Sequence, residues 1–422
     1  MKKLASVLAA GSLLLPLQAA ENLLRNPGFE DAQAGPWQFW PGSAAVSTKD
    51  PASGKQCLAV PQLSGRREYL LQKNIPVEPG CACICSLKSR ADDCAGPLEV
   101  NLIFRDASGI VVNSVKVITG SVSKEWSGFR GAGIASEKAV TADLSIELPP
   151  GNGIFFLDDV SLEQGSRILG THGASRVDRT KDGLRIVSPS CTLDFIENRN
   201  FGLASAEFGG KRRIRNFFLC VPLQNENRTQ SSYYLVNRNI VTDLNLKEKD
   251  DSILFTVEET YPHLQVKRSV ECWNNAPYVK FIYELKARKD FISSRVSMDF
   301  GFTGNVIAQG RVPHLIYTKW SKPNHWFNLE RPDDPRVISY LDRDGKNGLA
   351  LISLDKTDWE ELPGKLLSNT SGKNGDGFGI GLVKWVGRDT RKGDKVSCEV
   401  LVAPVESHEQ AVELADRLCI AD

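Results

Sequence analysis

Short runs of alternating apolar and polar residues recur along almost the whole chain of 422 residues. Examples are LEVNLIFRD at 98–106, SILFTVEET at 252–260 and YVKFIYELKA at 278–287, each bounded by turn-forming residues. Because side chains alternate between the two faces of a strand, this pattern is typical of sheets with one buried face and one wet face. It predicts an all-β protein built from sandwiches.

Helical periodicity occurs only near the end of the chain, in SHEQAVELADRL at 407–418. Ser407 and Gln410 are spaced as a capping box, in which a hydroxyl and a side-chain amide satisfy the free N–H groups at the start of a helix. The sequence therefore predicts one C-terminal helix after the strands.

The first twenty residues, MKKLASVLAAGSLLLPLQAA, resemble an export signal. Two lysines precede a short apolar stretch, and small residues end it, which is typical of a cleaved signal peptide rather than a membrane span. We therefore expect residues 1–20 to be a signal peptide and the protein to be secreted or periplasmic, without a membrane span.

The charge balance gives little indication of a partner. The net charge is +1 at pH 7, so there is no electrostatic reason to expect nucleic acid or an anionic membrane. A polar stretch at 163–183 divides the remaining chain, and we place the boundary near Gly165. The predicted domains are residues 21–164 and 165–422.

Ten cysteines could oxidise in an exported protein. Cys81, Cys83 and Cys85 in CACIC share one strand face, but this spacing is poor for zinc. We interpret the trio as small buried side chains, and one disulfide among them is a second possibility.

An ordered series of motifs spans residues 22–162: NLLRNPGFED, GPWQFW, DPASGKQCLAV, VEPGCACICSLKSR, KEWSGFRG and FFLDDVSL. This series resembles the family 4 and family 9 carbohydrate-binding modules, which are jelly-roll sandwiches. The resemblance implies that the first domain binds a glycan, either a polysaccharide or a glycoprotein glycan.

The adjacent aspartates of FFLDDVSL are unusual in an apolar strand, since Asp158 has the parity of Val160 and Leu162. A carboxylate directed at a core needs hydrogen bonds or a metal. The resemblance implies a structural Ca²⁺, with the ligand set Gly28, Glu30, Asp50, Ser53 and Asp158. A hydrogen-bonded Asp158 without metal is the alternative, and Asp159 would cap the adjacent turn.

Aromatic side chains would stack on sugar rings in such a module. Trp37 and Trp126 match core positions of the family, which leaves Phe39 and Trp40 as the candidates for substrate binding. No second aromatic is evident in the sheet strands, where cysteines occupy positions that are often aromatic.

The second domain resembles the supersandwich of galactose-mutarotase-like proteins, a fold that also occurs in glycoside hydrolases and polysaccharide lyases. NHWFNL at 324–329 is similar to a mutarotase segment whose histidine protonates the sugar ring oxygen, which would here be His325. There is no counterpart of that family's late glutamate base, which argues against mutarotase activity itself.

Histidines, aromatics and carboxylates are concentrated around His325, within residues 313–336, and such a set suits a saccharide site. Hydrolysis generally needs two carboxyl groups, for which Glu259 with Asp333 is one choice. The candidate catalytic residues are His325, Glu259, Asp333 and His314, and the candidate stacking residues there are Tyr317, Trp320 and Trp326.

The sequence thus predicts a secreted carbohydrate-active protein that binds a glycan and hydrolyses glycosidic bonds in its second domain. Two alternatives stay open: a polysaccharide lyase, which would use a histidine or tyrosine base, and a non-catalytic glycan-binding or cell-surface protein. The sequence does not indicate which glycan is bound or the oligomeric state.

Overall fold

A computed structural model describes residues 21–419 with several gaps. The gaps are residues 32, 42, 63–65, 94–95, 221, 225–230, 234–240, 294–295, 303–305, 311–325, 329–336, 343–345, 355–366, 371–377 and 385–387. The predicted signal peptide at 1–20 lies outside the described residues.

The first part of the chain folds into two antiparallel five-stranded sheets. One sheet has the order β1-β4-β9-β6-β7, with strands β1 (Gln38–Trp40), β4 (Glu68–Pro76), β6 (Pro97–Arg105), β7 (Val111–Ser121) and β9 (Thr141–Leu148). The other has the order β2-β3-β10-β5-β8, with strands β2 (Ala45–Ser47), β3 (Cys57–Pro61), β5 (Cys81–Ala91), β8 (Ser127–Ile134) and β10 (Ile154–Arg167).

Strand alternation builds the core between these two sheets. In β6, for example, Leu98, Val100, Leu102 and Phe104 are fully buried, while the residues between them are partly exposed. Burying such a set of side chains stabilises the sandwich by roughly 1.5–3 kcal/mol for each large apolar residue. The same alternation directs the intervening polar side chains to the outer face of the sheet.

The second part contains three more antiparallel sheets. A ten-stranded sheet has the order β11-β12-β13-β14-β15-β16-β24-β30-β29-β26. Its strands are β11 (Gly170–His172), β12 (Ser175–Arg179), β13 (Gly183–Val187), β14 (Cys191–Ile196), β15 (Gly202–Phe208), β16 (Lys211–Cys220), β24 (Val296–Phe302), β26 (Trp326–Asn328), β29 (Leu367–Thr370) and β30 (Phe378–Lys384).

An eight-stranded sheet faces it, in the order β19-β20-β21-β22-β32-β28-β27-β25. Its strands are β19 (Val241–Glu248), β20 (Ser252–Thr260), β21 (Leu264–Trp273), β22 (Val279–Ala287), β25 (Val306–Gly310), β27 (Val337–Asp342), β28 (Gly348–Ser353) and β32 (Lys395–Val405). A four-stranded sheet joins β18 (Ser231–Tyr233), β17 (Pro222–Gln224), β23 (Phe291–Ser293) and β31 (Arg388–Thr390) in that order. A 3₁₀ turn at Glu197–Arg199 follows β14.

The two parts of the chain share a buried contact. Ala82 and Ile84 of β5 belong to the same apolar cluster as the cores of the ten- and eight-stranded sheets. Polar contacts support it, because Arg130 donates to the Thr242 carbonyl at 3.1 Å and the Leu246 N–H donates to Ser166 at 2.9 Å. The predicted boundary at residue 164 falls inside β10, which runs without interruption to Arg167.

One α-helix, α1 (His408–Cys419), packs on β27, β28 and β32 through Ala411 and Ala415. The Gln410 N–H bonds the Ser407 hydroxyl, and the Gln410 side chain accepts from the Glu406 N–H. One half of the predicted capping box is therefore present, while the side chain of Gln410 accepts from the residue before the N-cap instead of from Ser407. The all-β prediction with sandwich-like domains and a C-terminal helix is confirmed. Within the described residues, no helix is long and apolar enough to cross a membrane.

The cysteines of the CACIC segment are buried free thiols, as are Cys57, Cys191 and Cys272. Cys83 and Cys85 pack into the core of the first sandwich. Within the described parts of the chain there is no cluster of histidine, cysteine and carboxylate side chains that could hold a metal. The interpretation of the trio as small core residues agrees with this placement.

These thiols should resist alkylation in the folded protein. Burial raises the pKa of Cys83 and of Cys85 to about 12, so the reactive thiolate is scarce at pH 8 and is also shielded. Mass-resolved labelling with iodoacetamide should modify the 81–85 peptide only after denaturation. Equal labelling rates in native and denatured protein would contradict this core assignment.

Candidate functional site

The outer face of the sheet β1-β4-β9-β6-β7 carries a row of side chains set by the strand register. Trp40 pairs with Tyr69, Tyr69 with Glu147, and Glu147 with Glu99. The residues next to them in sequence, such as Leu70, are buried in the core. Because neighbours alternate, all four paired residues point away from the core.

The row begins with two aromatic rings at the edge of the sheet. Trp40 is 66% exposed, and its ring centroid lies 6.2 Å from that of Tyr69, with the planes tilted by 32°. An exposed indole beside a half-buried, tilted phenol ring offers an apolar surface to a ligand. We call Trp40 and Tyr69 the aromatic pair.

The structure separates the two aromatics predicted to bind a substrate. Trp40 lies on the outer face, whereas Phe39, its neighbour on β1, packs against the core of the sandwich. Trp37 is also buried, and its indole N–H donates to the Asn26 carbonyl at 3.2 Å. The expectation that the sheet strands offer no second aromatic is wrong, because Tyr69 on β4 lies beside Trp40.

The parity of β4 is the signal that could have identified Tyr69. In EYLLQK, Leu70 is a core residue, which sends Tyr69 to the same face as an outward residue of the neighbouring strand. The sequence alone does not indicate which strand pairs with QFW at 38–40, so the contact with Trp40 could not be predicted.

Polar and charged groups fill the rest of this face. Glu147 is paired with Arg67, and Glu99 with Lys116 at 2.6 Å. In the next row, Ser145 pairs in register with Asn101. Carboxylates, an amide and ammonium or guanidinium groups on one surface can accept from and donate to hydroxyl groups. Ser145 itself is buried, so we call the aromatic pair together with Glu147, Glu99, Asn101 and Lys116 the outer-face platform.

The predicted metal residues lie elsewhere, where the loop at 50–56 meets the last strand of the sandwich. Asp158 is 0% exposed, and its Oδ2 accepts from the N–H groups of Ala52 at 2.9 Å and Ser53 at 3.1 Å. Its Oδ1 accepts from the Asp159 N–H at 2.8 Å. Burial raises the pKa of Asp158, and these backbone hydrogen bonds partly offset that shift.

Glu30 binds the same loop from the other side. Its Oε1 accepts from the N–H groups of Lys55 at 2.9 Å and Gln56 at 3.2 Å. Gly54 has a φ of +60°, and any side chain there would collide with this carboxylate oxygen. Glu30 and Asp158 therefore converge on one short loop, as the resemblance implies.

The other members of the predicted calcium set are arranged less favourably. The carboxylate of Asp50 is 74% exposed, and its oxygen lies 3.7 Å from Arg90. The Ser53 hydroxyl donates to Asp159, which also pairs with Lys88 at 2.8 Å. Gly28 lies beside both carboxylates, because a Cβ on it would be 3.7 Å from Glu30 Cγ and 4.0 Å from Asp158 Oδ1. Ca²⁺ prefers six to eight oxygen ligands, and the residues that converge here supply two carboxylates with unused lone pairs. The calcium site stays a prediction.

Replacing Asp158 with asparagine should destabilise the first sandwich. In either orientation the amide NH₂ would face a backbone N–H that now has an acceptor, so we expect Asp158→Asn to lower the free energy of unfolding by about 2–4 kcal/mol. Asp159→Asn is the matched control, with an expected loss below about 1 kcal/mol because its partner Lys88 is partly exposed. Urea denaturation measures both, and equal effects would contradict the role assigned to Asp158.

The same variants test the calcium prediction. If Ca²⁺ binds at Glu30 and Asp158, a chelator should lower the melting temperature of the wild type and leave that of Asp158→Asn unchanged. Identical melting curves with and without chelator in the wild type would support the alternative that backbone hydrogen bonds alone hold Asp158.

Glu259 is the predicted catalytic residue whose side chain the structure describes. It is 1% exposed, and both of its oxygens are bound by Arg268, at 2.8 and 3.1 Å. Arg268 also donates to the carbonyls of Asn200 and Phe201. Burial raises the pKa of Glu259, and Arg268 opposes that shift. This geometry gives the carboxylate a structural partner, and its catalytic role stays a prediction.

The remaining candidates of the second domain lie outside the described residues. They are His314, Tyr317, Trp320, His325 and Asp333. Trp326 begins β26, a strand whose side chains are not described. The cleft predicted around 313–336 therefore stays a prediction.

Removing Arg268 should leave the buried Glu259 without its partner. We expect Arg268→Ala to lower the free energy of unfolding by about 3–5 kcal/mol, because an uncompensated charge would remain in the core. Lys267→Ala is the control on the same strand, since its pair with Glu284 is exposed and is worth below about 1 kcal/mol. Chemical denaturation of both variants distinguishes these outcomes, and a small effect of Arg268→Ala would contradict the structural role.

Comparison with known proteins gives structural neighbours but no family. No family model matches the chain, and no curated protein matches it. The chain is similar to the CBM22-1 xylan-binding domain from Paenibacillus barcinonensis Xyn10C, at 18% identity and a TM-score of 0.30, over 35% of this chain and 96% of that domain.

Two further neighbours are also carbohydrate-binding modules. One is the Family 16 Carbohydrate Binding Module-2, at 15% identity and a TM-score of 0.28, over 33% of this chain and 99% of that module. The other is TmCBM61 in complex with β-1,4-galactotriose, at 20% identity and a TM-score of 0.27, over 34% of this chain and 99% of that one. Membership of families 4 and 9 stays a prediction.

Proposed function

We propose that this protein binds a glycan on the outer-face platform of its first sandwich. The observation that carries the proposal is the aromatic pair, the exposed Trp40 and the half-buried Tyr69, at one end of a row of polar side chains in strand register. A sugar ring has an apolar C–H face and a rim of hydroxyl groups. The aromatic pair suits the C–H face, and the polar row suits the hydroxyl groups.

The charges of the platform favour a ligand without strong net charge. Glu147 is paired with Arg67, and Glu99 with Lys116, so each carboxylate already has a cation beside it. An acidic or basic ligand would have to displace one partner of these pairs, whereas hydroxyl groups can bind both partners. The ligand class that fits is a neutral polysaccharide or the neutral part of a glycoprotein glycan.

Hydrolysis by the second domain is a finer prediction that rests on the sequence. Its candidate residues are His314, His325 and Asp333, outside the described residues, and Glu259, which is buried against Arg268. The location that we propose, secreted or periplasmic, follows from the signal-like residues 1–20 and suits a protein that meets polysaccharides outside the cell.

Substitution of the aromatic pair tests glycan binding. Losing one stacking ring should cost about 1–2 kcal/mol, which corresponds to roughly 5–30-fold weaker binding. We therefore expect Trp40→Ala and Tyr69→Ala each to weaken binding by that factor, while Tyr69→Phe, which keeps the ring, weakens it less. Isothermal titration calorimetry with a panel of neutral β-linked oligosaccharides measures the effect.

Ile110→Ala is the matched control, because Ile110 is also exposed but lies in the loop before β7. It should bind as the wild type does. If Trp40→Ala binds a panel member as tightly as the wild type does, the platform is not the binding site.

A further inference from the structure

A polar cleft lies where the edge of the outer-face platform meets the second part of the chain. Its volume is about 260 Å³, and it is lined by residues of both parts, among them Lys116, Lys181, Asp182, Glu197, Asn198 and Phe201. At about 30 Å³ for each water molecule, this is the space of roughly nine waters. The cleft has room for one sugar ring.

One wall of the cleft is strand β7, the last strand of the platform's sheet. Lys116 on this strand belongs to both regions, because it lines the cleft and its ammonium lies 2.6 Å from Glu99 on the platform. β1 and β7 are separated by four strand spacings, about 19 Å in total. A glycan of several rings lying across the strands from Trp40 would therefore reach the cleft.

The opposite wall comes from two connected turns of the second part. Lys181 and Asp182 lie between β12 and β13, and the 3₁₀ turn begins at Glu197. The Glu197 N–H donates to the Asp182 carbonyl at 2.9 Å, which ties the two turns together. The backbone of this wall is thus held by a hydrogen bond and needs little ordering when a ligand binds.

One carboxylate oxygen of Glu197 does not accept a hydrogen bond from the described residues. Its Oε2 pairs with Arg179 at 2.6 Å, while its Oε1 is buried and has no hydrogen-bond partner among the described residues. A buried carboxylate oxygen without a donor is unfavourable, and Glu197 is one of the residues that line the cleft. Burial raises the pKa of this carboxyl group.

The chemistry of the lining identifies the class of ligand. Two ammonium groups, two carboxyl groups and the amide of Asn198 surround the space, and Phe201 gives it an apolar side. A strongly anionic ligand would meet Asp182 and Glu197, and a strongly cationic one would meet the two lysines. A neutral ring with several hydroxyl groups meets no like charge and can donate to and accept from this set.

We propose that this cleft is a second saccharide subsite, built jointly by both parts of the chain, which binds a terminal ring of the glycan held on the outer-face platform. The proposal rests on the proposed function. It assigns the second part of the chain a role in recognition that does not depend on catalysis.

Chain length separates the two sites experimentally. Neutral β-linked oligosaccharides of about two to six rings are titrated into the full-length protein by calorimetry. A short oligosaccharide that occupies only the aromatic pair should bind Asp182→Asn and Asn198→Ala as it binds the wild type. A longer one that reaches the cleft should bind each variant about fivefold more weakly or worse, and should bind the wild type more tightly than the short one does.

Asp178→Asn is the matched control, because Asp178 lies on the neighbouring strand β12, pairs with Arg176 and does not line the cleft. If the longer oligosaccharides bind the two cleft variants and the wild type equally, the subsite is overturned while the platform stands. If Trp40→Ala leaves all binding intact, the proposed function fails. If no oligosaccharide of the panel binds the wild type, both proposals are contradicted.

Discussion

The antiparallel register of β1, β4, β9 and β6 is the constraint on which the binding surface depends. It places Trp40 beside Tyr69 and aligns Glu147 with Glu99 on the same face. A slip of one residue in any of these pairings would send that strand's outer side chains into the core and its core residues into solvent. The buried partners on the inner face, such as Leu70, therefore hold the outer face in place. The inner face of this sheet packs in the core, and its outer face carries the residues proposed to bind the ligand.

The carboxylates of Glu30 and Asp158 hold a different part of the sandwich. Between them they accept four N–H groups from the loop at 52–56, and Asp158 accepts one more from Asp159. Such a loop would otherwise expose unpaired backbone donors near the core. Glu30 and Asp158 join the residues before β1, this loop and β10, which explains a carboxylate at Asp158 in an apolar segment. Its neighbour Asp159 accepts from the Ser53 hydroxyl and pairs with Lys88.

Local sequence pattern predicted the class of fold but not the arrangement of the site. Alternation identified several of the longer strands, such as β6, β20 and β22, and the capping residues Ser407 and Gln410 identified the only α-helix within the described part of the chain. Trp40 could be selected as an unused aromatic. The outward direction of Tyr69 could be read from the parity of β4, but its contact with Trp40 could not be predicted, because it depends on the pairing of β1 with β4, which are separated by a long connection. The Glu259–Arg268 pair likewise arises from the pairing of β20 with β21, and the sequence alone does not reveal that it is fully buried. Long-range register is thus the information that short motifs lack.

The central claim is that a sugar ring stacks on Trp40. The most direct measurement is a titration of the ¹⁵N-labelled protein with a neutral oligosaccharide, monitored through its indole N–H signals and assigned with Trp40→Phe. We predict a saturable shift of the Trp40 signal, with the signal of the buried Trp37 unchanged. A saturable shift of other indole signals with the Trp40 signal unmoved would contradict the account.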